Sequence, residues 1–175
     1  NLVRPRLVVA DGAQVPQGAP LWQAGSQSHT PHGDTPLPTR VSPHWKAMTS
    51  GGSTGRPKII IDQAPGARDP DDSMLGQQAG DTFLNPGPLY HNAPFSFMHL
   101  ALFGGGHVID MVKFDPLRAL ELVQQYRVQW MNLVPTMMHR IWRLPAAQRE
   151  SFNLSSLHTV WHMASACPVW LKQCW

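Results

Sequence analysis

The 175-residue chain has few cysteines, and this shortage excludes several classes of protein. Its two cysteines, Cys167 and Cys174, lie seven positions apart and form no Cys-x-x-Cys pair. A disulfide framework and a zinc site of clustered cysteines are therefore excluded, and a reducing cytoplasmic compartment is expected. No apolar run reaches the roughly 18 residues of a membrane-spanning helix, and no signal peptide is evident. The sequence predicts a soluble protein without a transmembrane segment.

Charged residues are also scarce, at 14% of the chain against 42% hydrophobic residues. That composition is typical of a globular protein, and the length fits one ordinary domain. The net charge of +3 is mildly basic, but the basic residues are scattered and form no stripe with interleaved aromatic side chains. Nucleic acid is therefore not an expected partner.

Histidines and aspartates occur in small groups that lack the pattern of a metal site. The pairs His29/His32 and His158/His162 are interpreted as packed or solvated polar side chains. The aspartates within 69–72 are interpreted as solvated surface, because no glycine-turned loop of oxygen ligands surrounds them. No metal site is predicted from these groups.

Glycines and hydroxyls are concentrated in residues 49–58, which read Thr-Ser-Gly-Gly-Ser-Thr-Gly-Arg-Pro-Lys. Glycines let backbone N–H groups turn toward a bound oxyanion, while the hydroxyls add donors and the lysine adds a positive charge. A flexible connection is the alternative that composition alone allows. The candidate phosphate-binding residues are Ser50, Gly51, Gly52, Ser53, Thr54, Gly55 and Lys58.

The loop does not match the Walker A pattern, in which four residues separate the first glycine from Gly-Lys-Ser/Thr. The fifth position after Gly51 is Arg56, and the fifth after Gly52 is Pro57. A P-loop NTPase is therefore disfavoured. The β-branched run at 59–61 follows the lysine directly, so the loop is predicted to join two strands, over 44–48 and 58–62, instead of opening a helix.

Proline is frequent before this loop, and strand and helix patterns alternate after it. Residues 14–43 carry six prolines and are predicted to form a long surface loop, preceded by a short strand that includes 7–9. Later strands are predicted over 81–84, 107–112, 128–134 and 157–163. Helices are predicted over 95–103, from Asp115-Pro116 onward, over 135–143 and from near 168.

This alternation predicts an α/β fold with parallel strands covered by helices. In helix 95–103, Phe95, Met98 and Leu102 recur at helical spacing and are interpreted as core. Ligands of open parallel sheets sit beyond the carboxyl ends of the strands. Residues 134–136 and 163–166 are predicted to lie at such ends.

Residues 50–58 resemble the phosphate loop of the adenylate-forming (AMP-dependent synthetase) superfamily, usually Ser/Thr-Ser-Gly-Ser/Thr-Thr-Gly-x-Pro-Lys. Eight of the nine positions are compatible, and Gly51 stands where a serine is usual. The resemblance implies that the loop holds the β- and γ-phosphates of ATP while a carboxylate attacks the α-phosphate, giving an acyl-adenylate and pyrophosphate. Thr54 is the candidate contact to Mg²⁺ carried with ATP.

The Pro-x-Tyr-His-x-x-Pro pattern of 88–94 resembles a second motif, shared by acyl-CoA synthetases. It implies that His91, with Tyr90 beside it, lines the acyl-substrate pocket next to the adenylate. Neutral imidazole could also donate a hydrogen bond to a substrate carboxylate. The alternative is a strand end that packs an aromatic side chain into the core.

Two further segments resemble the family. Residues 132–138 are similar to its Val-Pro-Thr helix start. Ala164, Ser165 and Ala166 stand where related enzymes have a turn of small residues, often Gly-Ala-Pro, lying against the adenine and the acyl group. Small residues suit that position because the ligand packs on the backbone, but Ala166 replaces the expected proline.

Taken together, the resemblance implies that 1–175 is an incomplete N-terminal domain of an ATP-dependent acyl-CoA ligase, with its C-terminal domain absent. The chain starts without methionine and stops at Trp175 inside a helical pattern, so a piece of a longer protein, inactive alone, is expected. The implied co-substrates are ATP with Mg²⁺ and coenzyme A, and the implied substrate is a small fatty-acid-like or bile-acid-like carboxylate. The alternatives are a non-catalytic nucleotide-binding remnant and an adenylating enzyme that uses a carrier-protein acceptor. The oligomeric state is not predicted.

Overall fold

The main sheet of the computed structural model consists of parallel strands only. The structure describes residues 8–10, 21–23, 38–51, 55–69 and 75–175. In these parts the strands are β1 Val8–Ala10, β2 Leu21–Gln23, β3 Ala47–Thr49, β4 Ile59–Ile61, β5 Thr82–Asn85, β6 His107–Asp110, β7 Trp130–Leu133 and β8 Thr159–His162. The helices are α1 Asn92–Phe103, α2 Pro116–Tyr126, α3 Pro135–Trp142, α4 Ala146–Arg149 and α5 Val169–Gln173.

The four-stranded sheet has the order β6-β5-β7-β8, and every neighbouring pair in it is parallel. The chain runs from β5 through α1 to β6, and then through α2 to β7 on the other side of β5. The connection after β5 leads to one side of the sheet and the connection after β7 leads to the other. Open parallel sheets bind their ligands between two such strands, beyond their carboxyl ends. The predicted α/β class with parallel strands and helices is confirmed.

Helices cover both faces of this sheet because consecutive strand residues point to opposite sides. Phe83 packs with Phe97 and Trp130 on the α1 side, and its ring centroid lies 4.7 Å from that of Trp130. Leu84, the next residue, packs with Val123 of α2 in the larger cluster on the other face. Both Phe83 and Leu84 are fully buried, and burying such a side chain contributes about 1.5 to 3 kcal/mol.

The predicted core residues of α1 are confirmed for Met98, which packs against the core, and are wrong for Leu102. The helix buries Phe97, Leu100 and Ala101, whereas Leu102 is 50% exposed. Apolar residues occur on all sides of α1, so their spacing could not identify the face that meets the sheet. The side that carries Phe95 faces the β3–β4 hairpin instead, with the Phe95 ring centroid 5.8 Å from that of Trp45.

The start of α2 is confirmed in atomic detail. The Asp115 carboxylate accepts a hydrogen bond from the Arg118 backbone N–H at 2.8 Å, and Pro116 follows in the first turn. An aspartate N-cap of this kind stabilises a helix by about 1 kcal/mol. The preceding strand β6 ends at Asp110, two residues earlier than predicted, and Val112 is fully exposed.

The two short N-terminal strands pair with each other. Strand β1 is parallel to β2, with Val8 opposite Leu21. The predicted strand at 7–9 is confirmed in its described part, but the prediction of one continuous loop over 14–43 is wrong for Leu21–Gln23. Those three residues contain no proline or glycine, so the surrounding breakers flank the strand without interrupting it.

Strands β3 and β4 form an antiparallel hairpin around the glycine-rich segment, with Met48 opposite Ile60. This confirms the predicted strand-loop-strand arrangement, although β3 begins at Ala47 and not at residue 44. Pairing continues toward the base of the hairpin, where the Asp62 N–H donates to the Lys46 carbonyl at 3.1 Å. In the described part of the chain, no helix is long and apolar enough to cross a membrane.

Candidate nucleotide and acyl site

The base of the glycine-rich loop is closed by Ser50 and Lys58. The Ser50 N–H donates to the Lys58 carbonyl at 2.8 Å, and the Lys58 N–H donates to Ser50 Oγ at 2.9 Å. A serine hydroxyl can accept such a bond and still donate its own hydrogen to a ligand. Ser50 therefore shapes the loop and keeps one donor for a bound oxyanion.

The described part of the loop tip is open. Gly51, Gly55 and Lys58 are all exposed, and a Cβ added at either glycine would meet no heavy atom within 4 Å. Gly55 has a φ of +133°, a conformation that side chains rarely adopt. An accessible backbone beside an exposed lysine fits an anionic ligand such as a polyphosphate. Three predicted loop residues, Gly52, Ser53 and Thr54, lie outside the described residues.

The hairpin packs on the first half of α1. The Trp45 ring lies 6.4 Å from the His99 ring, and Lys46 Nζ donates to Ser96 Oγ at 2.5 Å. Burial lowers the pKa of Lys46, and the nearby Asp62 carboxylate, 3.6 Å from Nζ, opposes that shift. The loop and the start of α1 are thus held in contact by side chains about 50 positions apart in sequence.

Tyr90 and His91 lie immediately before α1. The His91 N–H donates to the Pro88 carbonyl at 3.0 Å, and its ring centroid is 4.6 Å from that of Tyr90. Both side chains are exposed, Tyr90 by 74%. The alternative in which this pair packs an aromatic into the core is therefore wrong, and both rings are accessible to a ligand.

The segment before His91 is held close to the helix by a glycine. A Cβ on Gly87 would lie 2.7 Å from Pro94 Cγ, so only glycine allows this approach. Gly87 and Pro94 are both buried. This contact fixes the path of 88–91 from the end of β5 into α1.

Ala164, Ser165 and Ala166 form an exposed turn just after β8. Ala164 has a φ of +73°, which is the left-handed region that favours glycine. An alanine in this conformation costs about 1 to 2 kcal/mol. The strained backbone stands at the first position of the turn that the family often fills with glycine.

The sheet brings two of the three predicted regions to one edge. Because β5 and β8 are parallel, their carboxyl ends point the same way, so residues 86–91 and 164–166 lie at the same edge with β7 between their strands. A buried polar group lies at this edge too: Asn85 is fully buried, and its Nδ2 donates to Oδ1 of the exposed Asp110 at 2.7 Å. Among the described residues, the candidate phosphate loop is connected to them through the contact of its hairpin with α1.

Several residues at the site were not predicted from sequence. Lys46 and Ser96 are single polar residues between apolar neighbours in the sequence. The alternation of partly buried and exposed residues along 46–50 is the one feature that could have identified Lys46. Lys46, Met48 and Ser50 are partly buried, whereas Ala47 and Thr49 between them are exposed. A lysine on the inward face of a strand indicates a buried partner.

Metal ligands are sparse in the described residues. They contain no group of three or more His, Cys, Asp or Glu side chains that could hold an ion. Thr54, the predicted contact to Mg²⁺, is not among them. The contact of Thr54 with Mg²⁺ carried by ATP therefore stays a prediction.

A pocket of about 550 Å³ lies beside β8 and α5. It is lined by apolar side chains together with His158, His162 and Lys172, and it contains none of the predicted site residues. The lining of this cavity therefore adds no support to the predicted site.

The fold is that of the N-terminal domain of adenylate-forming enzymes. It combines a parallel α/β sheet with a glycine-rich hairpin that packs on the first helix covering the sheet, and the Tyr-His segment lies at the carboxyl edge. The chain belongs to the AMP-binding enzyme family, whose pattern matches residues 3–175.

Individual relatives agree with this assignment. Over 120 residues the chain is 33% identical to a medium/long-chain fatty-acid–CoA ligase of Mycobacterium tuberculosis, covering 67% of this chain and 20% of that enzyme. The chain thus spans about a fifth of the length of this relative.

Solved structures show the same fold. The N-terminal domain of FACL13 from Mycobacterium tuberculosis superposes with a TM-score of 0.62 at 19% identity, covering 73% of this chain and 32% of that one. A luciferase-like enzyme of the mealworm Zophobas morio superposes with a TM-score of 0.69 at 15% identity, covering 98% and 45%.

Proposed function

We propose that the chain is part of the N-terminal domain of an ATP-dependent acyl-CoA ligase. The complete protein would convert a carboxylic acid and ATP into an acyl-adenylate and pyrophosphate, and coenzyme A would then replace AMP to give a thioester. The observation that carries the proposal is the loop closed between Ser50 and Lys58, beside which Gly51, Gly55 and the Lys58 side chain are exposed. The fatty-acid–CoA ligase at 33% identity supports the same reaction class.

The loop has the chemistry to bind the leaving pyrophosphate. When a carboxylate oxygen attacks the α-phosphate of ATP, negative charge accumulates on the β- and γ-phosphates that depart. Donors fixed before the reaction stabilise that charge without reorganising. In this proposal the exposed Lys58 ammonium and the backbone N–H groups near Gly51 and Gly55 bind those oxygens.

The Tyr-His segment is assigned to the carboxylate substrate. Tyr90 and His91 are exposed at the carboxyl edge of the sheet, where the turn 164–166 also lies. In this proposal His91 holds the carboxylate or its acyl chain, while the backbone of Ala164 and its two neighbours packs against the adenine ring. Holding both reactants in place accounts for much of the acceleration expected of such a site.

Carboxylate-dependent exchange of pyrophosphate into ATP tests the proposal in the complete protein. The panel contains octanoate, palmitate, cholate and acetate at equal concentrations. We expect exchange with octanoate or palmitate at least tenfold above that with acetate, because a pocket lined by apolar groups gains about 0.8 kcal/mol per buried methylene. Absence of exchange with every acid would contradict the proposed adenylation.

Coenzyme A is distinguished from a carrier protein in a second assay. After adenylation has been established, the protein is incubated with each acceptor and the thioester product is identified by mass spectrometry. The CoA-ligase relative supports coenzyme A as the acceptor. Thioester formation on a carrier protein alone would favour the other adenylating class. The cytoplasmic location inferred from the sparse cysteines stays a prediction.

A further inference from the structure

Lys46 has an unusual setting for a lysine. Its Nζ donates to Ser96 Oγ at 2.5 Å, lies 3.6 Å from Asp62 Oδ2 and stands 4.1 Å from the centroid of the Trp45 ring. The side chain is only 11% exposed. Lysines are almost never buried to this degree unless they are paired, so each of these contacts compensates for lost hydration.

The polar contact continues from Lys46 to the Tyr-His segment. Ser96 Oγ donates in turn to Asn92 Oδ1 at 3.4 Å, and Asn92 is the first residue of α1, directly after His91. On the hairpin side, Lys46 directly precedes β3 and Ser50, which closes the loop, directly follows it; both are partly buried. Lys46 therefore lies between the base of the phosphate loop and the helix start that carries His91.

Apolar contact alone does not determine this geometry. The Trp45 ring packs against Phe95 and His99, and aromatic rings pack well in either offset-stacked or edge-to-face arrangements. A charge-assisted hydrogen bond has a preferred length and direction. The Lys46–Ser96 bond thus supplies the directional part of the contact between the hairpin and α1.

We propose that Lys46 is a positioning residue, which sets the angle between the phosphate hairpin and the His91 end of α1 by bonding to Ser96. The inference rests on the proposed function, because the two parts it aligns would hold ATP and the carboxylate. A misplacement of about 1 Å between reacting groups can reduce a rate about 100-fold. Loss of the bond therefore affects adenylation more than it affects folding.

The test uses the complete protein, four single variants and the double variant Lys46→Met/Ser96→Ala. Lys46→Met removes the charge and the donor at similar volume, Lys46→Arg keeps both, and Ser96→Ala removes the acceptor. Arg118→Met is the matched control, because Arg118 is an exposed cation of α2 paired with Glu121 at 2.8 Å on the other side of the sheet. Each protein is assayed for carboxylate-dependent ATP–pyrophosphate exchange, and hydrogen exchange is measured over 45–62 and 92–103.

The expected result is a specific loss of turnover. Lys46→Met and Ser96→Ala each lower kcat/KM for ATP by about tenfold, consistent with loss of a hydrogen bond to a charged group. The double variant Lys46→Met/Ser96→Ala loses no more than Lys46→Met, since both act through one bond. Lys46→Arg recovers most of the activity, and Arg118→Met keeps it. Hydrogen exchange rises in both segments for Lys46→Met.

Two results overturn the inference while leaving the proposed function intact. One is exchange activity of Lys46→Met within twofold of the unmodified protein. The other is an additive loss in the double variant, which would separate Lys46 from Ser96. If Lys46→Met fails to fold, Ser96→Ala and Lys46→Arg still decide the question. Absence of exchange in the unmodified protein is a different outcome, since it overturns the proposed function itself.

Discussion

Ser50 and Lys58 exchange two hydrogen bonds across the base of the glycine-rich loop, one between backbone groups at 2.8 Å and one from the Lys58 N–H to Ser50 Oγ at 2.9 Å. The two bonds place the Ser50 hydroxyl beside Lys58, at the point where the loop joins strands β3 and β4. Under the proposed function, Ser50 therefore acts on the phosphates through the shape of the loop as well as through its own hydroxyl hydrogen.

Replacing Ser50 by alanine should weaken nucleotide binding more than it weakens the fold. The bond it removes is exposed and contributes about 1 kcal/mol or less to stability, whereas the loop loses one of its two closing bonds and one hydroxyl donor. We expect the KM for ATP to rise about fivefold to tenfold in the exchange assay. Ser151→Ala is the control, because Ser151 makes a comparable exposed bond to the Gln148 carbonyl far from the loop. An equal KM in both variants would count against the role of Ser50.

Gly106 should tolerate no side chain. A Cβ there would lie 2.5 Å from the Asp81 carbonyl oxygen and 2.9 Å from that of Ala101, and both are backbone atoms that cannot move aside. We expect Gly106→Ala to lower the free energy of unfolding by about 2 kcal/mol or more, as measured by urea denaturation. Gly104→Ala is the matched control, because its nearest contact is 3.4 Å and its φ is −82°. Similar losses at both positions would show that the close approach is not the cause.

Ala164→Gly should stabilise the protein. The left-handed conformation of Ala164 costs about 1 to 2 kcal/mol, and the extra freedom of glycine in the unfolded chain costs about 0.5 to 1 kcal/mol. The difference predicts a gain of about 0.5 to 1 kcal/mol in the free energy of unfolding. Ala166, which has no positive φ, is the control, and Ala166→Gly should be destabilising. If Ala164→Gly also lowered the free energy of unfolding, that result would contradict the backbone strain assigned to Ala164.

Asp62 should make stability depend on pH in the acid range. Its pKa lies below the ordinary value of 3.8, chiefly because its carboxylate accepts the Ala64 N–H at 3.0 Å, with further contributions from Trp45 and Lys46. A lowered folded-state pKa gives stability that is present above 3.8 and is lost as the pH falls through the folded value. Urea unfolding between pH 5 and 2.5 should therefore show a smaller decline for Asp62→Asn than for the unmodified protein. Parallel declines would contradict this effect.

Much of the fold was predictable because the signals were local. Asp115 and Pro116 mark the start of α2 by their own chemistry, and the β-branched run after Lys58 identified the returning strand. The face of α1 was not predictable, since apolar side chains surround that helix and the packing of the hairpin decides which ones meet the sheet. The three-residue strand β2 was not predicted, because prolines are frequent in the sequence around it.

The site was predictable only in part for the same reason. The motif residues Ser50, Lys58 and His91 could be named from their order along the chain. The partner of Lys46 could not, because Ser96 lies 50 residues away and meets it only after the hairpin packs on α1. The left-handed conformation of Ala164 was likewise invisible, since alanine normally avoids it.

The most direct test of the phosphate loop is carboxylate-dependent ATP–pyrophosphate exchange by the complete protein with Lys58→Ala. Removing the ammonium should lower kcat/KM for ATP by about 10-fold to 100-fold, because charge on the leaving pyrophosphate loses its nearest cation. Lys113→Ala, which alters an exposed lysine outside the loop, should leave exchange within twofold of the unmodified protein. Unchanged exchange in Lys58→Ala would contradict the assignment of this loop to the phosphates of ATP.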